Sequence, residues 1–344
     1  MFKMFDAIKN NRVYTIAEMS ANHAGKLENA IEIIHKAAEA GADCLKIQTY
    51  TADTITIDCH SDYFKMNGGL WDGLYLYDLY KEASTPWEWQ KLIKQECEKC
   101  GMDFLSTPFD NTAVDFLESI GCDAYKIASF ELVDIPLIEY AAANKKPMII
   151  SCGMGTVDEI SDAVAACRRM GNDQIVLLKC CSEYPTNDDN MHLSVICDMK
   201  KRFGTEIGLS DHSMGYLADV AAVACGATVI EKHFCLSRKL KNPDSDFSME
   251  PNEFADMVSN VQRVRRMMGD IFYGPTKAEA EEYKCRRSLF VVEDIKKGEI
   301  ITEKNIRSIR PNNGLPPKRY SEIIGKTARR DLPFGTPLQA DDFE

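Results

Sequence analysis

Two histidines stand where short apolar runs end, His212 in GLSDHS and His233 in IEKHF. Two neutral imidazoles with coordination positions left open suit Mn²⁺, Zn²⁺, Fe²⁺ or Co²⁺, while a histidine in such a place serves as readily as a hydrogen-bonding neighbour to another group. Spacing alone leaves both open. Other runs end in acids, lysines and hydroxyls: Glu18; Lys46 and Gln48; Ser106 and Thr107; Lys126 and Ser129; Ser151; Lys179; Ser210 and Asp211; Glu231 and Lys232. Buried charge is costly unless paired or bound to a ligand, so several lysines converging on one place require an anionic partner. Lysine with serine suits a phosphate plus a carboxylate; phosphoenolpyruvate carries both, and sugar phosphates carry part. In the plainer alternative the lysines pair with Glu18, Glu131 or Glu231 and only orient their surroundings. His23, in ANHAG, is expected beside the same site, whereas His35, His60 and His192 fall in helical or inserted segments and are read as solvated or structural.

These side chains can converge only if the runs that carry them are strands of one sheet. Candidate strands are Val13 to Glu18, Cys44 to Thr49, Asp103 to Thr107, Ala124 to Ala128, Pro147 to Ser151, Ile175 to Lys179, Glu206 to Ser210 and Thr228 to Phe234. Each is followed by an amphipathic helical pattern that stops at glycine, as in LENAIEIIHKAAEAG and VDEISDAVAACRRMG. Eight such βα units predict a (β/α)8 TIM barrel with its catalytic mouth at the strand carboxyl ends. The stretch from Tyr50 to about Pro86, carrying GGLWDGLYLYDLY, is a long insertion of the kind that lies at that mouth. The predicted organisation is a barrel over residues 1–270, a connector over 271–287 and a small separate domain over 288–344, where short β-prone pieces alternate with Gly and Pro turns.

Composition narrows the partners. With 41 basic against 53 acidic residues the net charge is −12, which argues against nucleic acid or an anionic membrane and for a small-molecule substrate. The amino terminus has no apolar core behind a basic start, and no segment reaches about 18 consecutive apolar residues. A soluble, cytoplasmic protein is expected. Thirteen scattered cysteines, an odd number in a chain of 344 residues, fit reduced thiols better than a disulfide framework. The one CxxC, Cys97 to Cys100, lacks a second pair at zinc-finger spacing, so cysteine is assigned no chemistry.

The motifs IAEMSANHAG, LKIQTY, STPF, AYKIAS with the Glu of SFE, SCGMGT, the YPT of CSEYPT, GLSDH and EKHF resemble those of the sialic acid synthase family. They occur in family order across the barrel, and the tail KTARRDLPFGTPLQADDF resembles that family's antifreeze-like (SAF) domain, so the resemblance spans essentially the whole chain. It implies condensation of phosphoenolpyruvate with an open-chain amino-sugar aldehyde, with C–O rather than P–O cleavage. His212 and His233 would hold a divalent metal, Mn²⁺ with Mg²⁺ or Co²⁺ as alternatives. Lys46, Thr107, Lys126, Ser129, Ser151, Ser182 and Ser210 would bind phosphoenolpyruvate, and Glu18 would stabilise an oxocarbenium or handle water's proton. Gln48, Glu131, Tyr184 and Asp244 would meet the sugar. Arg310, in SIRPNNG, resembles the family arginine that enters the partner subunit's site, which implies a domain-swapped homodimer; taken by itself it reads equally as a surface arginine beside a proline turn.

The insertion is more similar to that of the family's pseudaminic acid branch than to its N-acetylneuraminate branch. Two departures point the same way: Ser182 stands where the neuraminate enzymes carry asparagine, and KNPDSDFS replaces a more glycine-rich loop. The expected substrate is therefore a 2,4-diacetamido-2,4,6-trideoxy-altrose, with N-acetylneuraminate or legionaminate synthesis as the alternative. Further off stand a metal-dependent aldolase, which would release no phosphate, and an inactive barrel whose small domain binds carbohydrate or protein.

Overall fold

The computed structural model describes residues 2–344, which fall into two compact units, one ending at Gly269 and one beginning at Asp270. In the first, eight parallel strands close into a barrel: β1 Tyr14–Glu18, β2 Cys44–Thr49, β3 Asp103–Pro108, β4 Tyr125–Ile127, β5 Met148–Ser151, β6 Ile175–Cys180, β7 Glu206–Asp211 and β8 Val229–His233. Closure is made by β8 lying beside β1, with Glu18 level with His233 and Ile16 with Glu231. Alternation along each strand sorts side chains into two cores. Tyr14, Ile16, Cys44, Leu105, Ile149, Val176, Leu178 and Val229 fill the lower barrel, while Leu45, Ile47, Phe104, Leu177, Leu209 and Ile230 face the surrounding helices.

A short helix over Met4–Lys9, which the sequence pattern does not announce, packs Met4 and Ala7 with Phe2 against the lower core. It closes the amino-terminal end of the barrel and leaves the carboxyl ends for chemistry. Helix starts follow from their caps: Asp110 accepts from the Ala113 amide, Asp134 from that of Leu137, and Thr156 forms a capping box with Glu159. Most of the barrel helices stop at a left-handed glycine such as Gly41 or Gly171, but the one over Ile135–Ala142 does not. Its left-handed residue is Lys145, at φ 58°.

The second unit pairs β9 Ser288–Val291 antiparallel with β10 Ile306–Ile309 around a small core of Leu289, Val291, Ile295, Ile301, Ile306, Leu332 and Leu338. No helix among the described residues is long and apolar enough to cross a membrane.

Candidate active site

The same alternation that builds the lower core brings one ring of polar side chains to the upper barrel. Glu18, Lys46, Gln48, Thr107, Lys126, Ser151, Ser210 and Glu231 share the inner parity of their strands, with His233 ending β8 and His212 following β7. Glu231 anchors the ring. Its Oε1 takes the Lys46 ammonium at 2.9 Å and the Ser210 hydroxyl at 3.1 Å, and lies 3.7 Å from Lys126 Nζ. Lys126 donates to Ser151 Oγ at 2.6 Å, and Gln48 donates to Glu18 Oε1 at 3.1 Å.

All four charged groups are buried, so desolvation is large, and their charges settle the outcome. Burial resists the charge on Glu231, but Lys126 and Lys46 outweigh it and hold that carboxyl down at about 2. Burial pushes Glu18 up to about 7, helped by Glu231 and opposed by Lys46. Lys46 is raised, because Glu18 and Glu231 more than offset its burial. Lys126 is lowered, by burial first and then by the like charge of Lys46, which together outweigh the pull of Glu231. The cluster thus has one lysine of its two, Lys126, whose burial the carboxylates only partly offset. Three further polar atoms beside it are buried and without partners: Thr107 Oγ1, Ser182 Oγ and Glu231 Oε2.

Ser129, Ser182 and the Gly153 amide, from the loops after β4, β6 and β5, form a second wall. Gly153 N donates to Ser129 Oγ at 3.1 Å, and a Cβ at Gly153 would sit 2.5 Å from Ser182 Oγ and 2.7 Å from Ser129 Oγ. Only glycine permits this close approach. Backbone N–H and hydroxyl groups gathered this way suit an oxyanion.

Above the charged ring the imidazoles of His212 and His233 lie 5.4 Å apart, centre to centre. His212 Nδ1 donates to the Cys181 carbonyl at 2.8 Å, which leaves Nε2 free; His233 Nδ1 is buried with no partner. Burial, then His212 and the lysines, depress His233 well below the ordinary imidazole value, so its ring is neutral and able to ligate. For His212, burial works against protonation while Cys180 and the Cys181 carbonyl favour it, and the net is upward. A partnerless buried ring nitrogen beside a second imidazole fits a divalent cation.

Two loops complete the mouth. Asp244, raised by burial, accepts from the Ala21 amide at 3.1 Å and ties the loop after β8 to that after β1. Tyr184 lies 4.3 Å from the His212 ring. Glu131, in the turn after β4, is pushed up to about 7 by burial, and its Oε2 has no partner.

A pH test follows for Glu131. Its folded-state value lies above the ordinary 4.3 or so, so its stability contribution is complete below that value and is lost as pH rises toward about 7. A Glu131→Gln variant, neutral at every pH, should melt with the parent near pH 4.5 and roughly 2–6 °C above it at pH 8. A thermal offset of the same size at both pH values would refute the desolvation account.

Several residues taken with the ring do not join it. Lys232, on the outer face of β8, pairs with Asp211 and lies 3.8 Å from Asp219 of the helix over Leu217–Ala224. Ser106 bonds outward to Thr49 at 2.6 Å, and Lys179 binds its neighbour's carbonyl on the outer face of β6. Each has the wrong strand parity. His23, in the turn after β1, is buried with both ring nitrogens engaged, accepting from the Gly25 amide at 3.0 Å and contacting Thr85 Oγ1 at 3.2 Å; burial lowers it to about 4. Arg310 is exposed in the second unit and makes no ion pair among the described residues. His35, Glu96 and Cys100 form the one other described group with metal-ligand chemistry, at the surface between two outer helices, where Glu96 is engaged by His35 and Lys99.

Cysteine does enter the site, against expectation. Cys180 ends β6 on the inner face, 3.9 Å from His212 Nδ1, and despite burial is drawn down to about 7 by His212, Ser129 and Lys126. Strand parity is the signal that would have found it.

The NeuB family model matches residues 33–273 and the SAF domain model residues 286–344. The chain belongs to the NeuB family. This is the sialic acid synthase family that its motifs resemble, and the closed barrel with a separate SAF domain is the fold expected of it. A pseudaminic acid synthase of Helicobacter pylori is 44% identical over 96% of this chain and 97% of its own length. An N,N'-diacetyllegionaminic acid synthase of Legionella pneumophila is 33% identical over 96% of this chain and 94% of its own. Among solved structures, the N-acetylneuraminic acid synthetase of Leptospira borgpetersenii, in complex with citrate, superposes with a TM-score of 0.72 at 34% identity, over 79% of this chain and 90% of that one.

Proposed function

We propose that this protein is a pseudaminic acid synthase, condensing phosphoenolpyruvate with 2,4-diacetamido-2,4,6-trideoxy-β-L-altrose to give pseudaminic acid and phosphate. The observation that carries it is Lys126, buried, donating to the Ser151 hydroxyl and only partly offset by Glu231, in a barrel that also carries the serine and glycine wall and the two imidazoles. Greater identity to pseudaminic than to legionaminic acid synthases favours the altrose sugar.

In this scheme Lys46, Lys126, Thr107, Ser129, Ser151, Ser182 and Ser210 bind the phosphate and carboxylate by charge-assisted hydrogen bonds. A divalent ion held by His212 and His233, Mn²⁺ or else Mg²⁺ or Co²⁺, would supply Lewis acidity at the aldehyde oxygen. Gln48, Glu131, Tyr184 and Asp244 hold the sugar so that the phosphoenolpyruvate methylene carbon faces the aldehyde. The C–C bond forms there, water adds to the resulting cationic carbon, and the bond from that carbon to the bridging oxygen breaks to release phosphate. Glu18, poised at about 7, takes the water's proton.

A domain-swapped homodimer, with Arg310 of each SAF domain entering the other subunit's mouth, is supported by the exposed Phe130, Met154 and Met214 after β4, β5 and β7 and by the exposed Leu217 at the start of the helix that follows β7. Thirteen free cysteines support a reducing, cytoplasmic setting.

The test is phosphate release from phosphoenolpyruvate with Mn²⁺, offering the altrose sugar, its manno isomer and N-acetylmannosamine separately, with and without chelator. Chelator-sensitive release with the altrose sugar alone is expected. Release only with another sugar would keep the chemistry and reassign the product, and none with any sugar would reject the synthase.

A further inference from the structure

Trp71 belongs to no motif that carries the chemistry, yet it reaches the site. It sits at the tip of a hairpin within the insertion after β2, where Met66 and Leu74 pair and Gly68 and Gly69 turn the chain at positive φ. Its indole N–H donates to the Pro243 carbonyl, in the loop after β8, at 3.1 Å. Its ring lies 5.5 Å from that of Tyr184, which in turn stands 5.2 Å from Phe247 and 4.3 Å from His212. Three loops thus build one aromatic wall leading away from the imidazoles, with Trp71 a ring further out than Tyr184.

We propose that Trp71, with Tyr184 and Phe247, receives the C6 methyl group of the sugar and selects a 6-deoxy substrate. The inference rests on the synthase assignment, which places the aldehyde carbon at the imidazoles. Five C–C bonds then carry an extended six-carbon chain about 6 Å further, to the outer part of the wall. Indole offers a methyl group a flat apolar face, and its one donor is already committed to Pro243. Against the indole face a hydroxyl at C6 would lose water and gain no partner. An apolar pocket discriminates against an added hydroxyl by about 10²-fold at most, and that sets the scale of the preference.

The test compares kcat/KM for the diacetamido sugar in its 6-deoxy and 6-hydroxy forms, in the parent, Trp71→Phe and Trp71→Gln. Phenylalanine keeps the apolar face and loses the N–H anchor; glutamine loses the face. The expected result is a parent preference for the 6-deoxy sugar that Trp71→Phe retains and Trp71→Gln reduces about tenfold or more, through the sugar KM, with the phosphoenolpyruvate KM unchanged. Equal use of both sugars by the parent, or an undiminished preference in Trp71→Gln, would overturn the wall while leaving the synthase assignment standing. So would equal losses in both variants, which would make Trp71 an anchor of the hairpin alone. No turnover by the parent on either sugar would overturn the synthase assignment and the wall with it.

Discussion

Replacing His233 by alanine is expected to lower kcat/KM for phosphate release by about 10³-fold or more, because charge stabilisation by a bound cation is worth several kcal/mol. The ring ends β8 on the inner face, and its Nδ1 has no protein partner to lose. Burial and the neighbouring positive groups keep it neutral, as a ligand must be. Deleting it also removes contacts to Phe247 at 4.9 Å and His212 at 5.4 Å, so the melting temperature must be followed alongside activity. Cation affinity by equilibrium dialysis should fall with activity. His35→Ala, which breaks only an exposed ion pair with Glu96, serves as the control and should leave both within about twofold. A folded His233→Ala protein with parental, chelator-sensitive turnover would remove the metal from the mechanism.

Lys232→Met is expected to leave the chemistry in place and strike stability, by about 3–5 kcal/mol, because removing one partner of a buried ion pair strands the other. Lys232 is fully enclosed against Asp211, which also accepts from the Ser213 amide and hydroxyl at 2.8 and 3.0 Å. Asp219, 3.8 Å from the ammonium, is pushed well up by burial and by Asp211, and so does not hold a second negative charge there. The pair is thus one for one, and losing the lysine leaves Asp211 uncompensated. For a domain of this size that corresponds to a fall in melting temperature of roughly 6–15 °C. Adding Asp211→Asn should recover part of it, since the stranded charge is then gone. Normal stability with lost activity in Lys232→Met would instead return this lysine to the catalytic ring.

Residues of one strand show which parts of the site are legible in the sequence. In Val229–His233, the β-branched and apolar residues announce a strand and its end announces chemistry, but Glu231, Lys232 and His233 look alike as polar residues at a strand terminus. Strict alternation separates them: Glu231 and His233 face the barrel axis and Lys232 faces a helix. Applied to β6, the same rule discards Lys179 and admits Cys180. Alternation needs a starting phase, however, and the barrel strands are buried on both faces, so apolar runs do not supply one.

Other features lie beyond any local pattern. The bond of His23 to Thr85, the match of Gly153 to Ser129 and Ser182, and the reach of Trp71 to Pro243 and Tyr184 join residues far apart in the chain. Eight strand runs, their capped helices and the polar residues at their ends follow from the sequence by itself, because periodicity and capping are properties of neighbours along the chain. Which of those polar groups meet, which carboxyls are pushed up and which lysine is lowered were decided only by closure of the barrel. Desolvation and pairing depend on distances through space, and those exist only once β8 lies against β1.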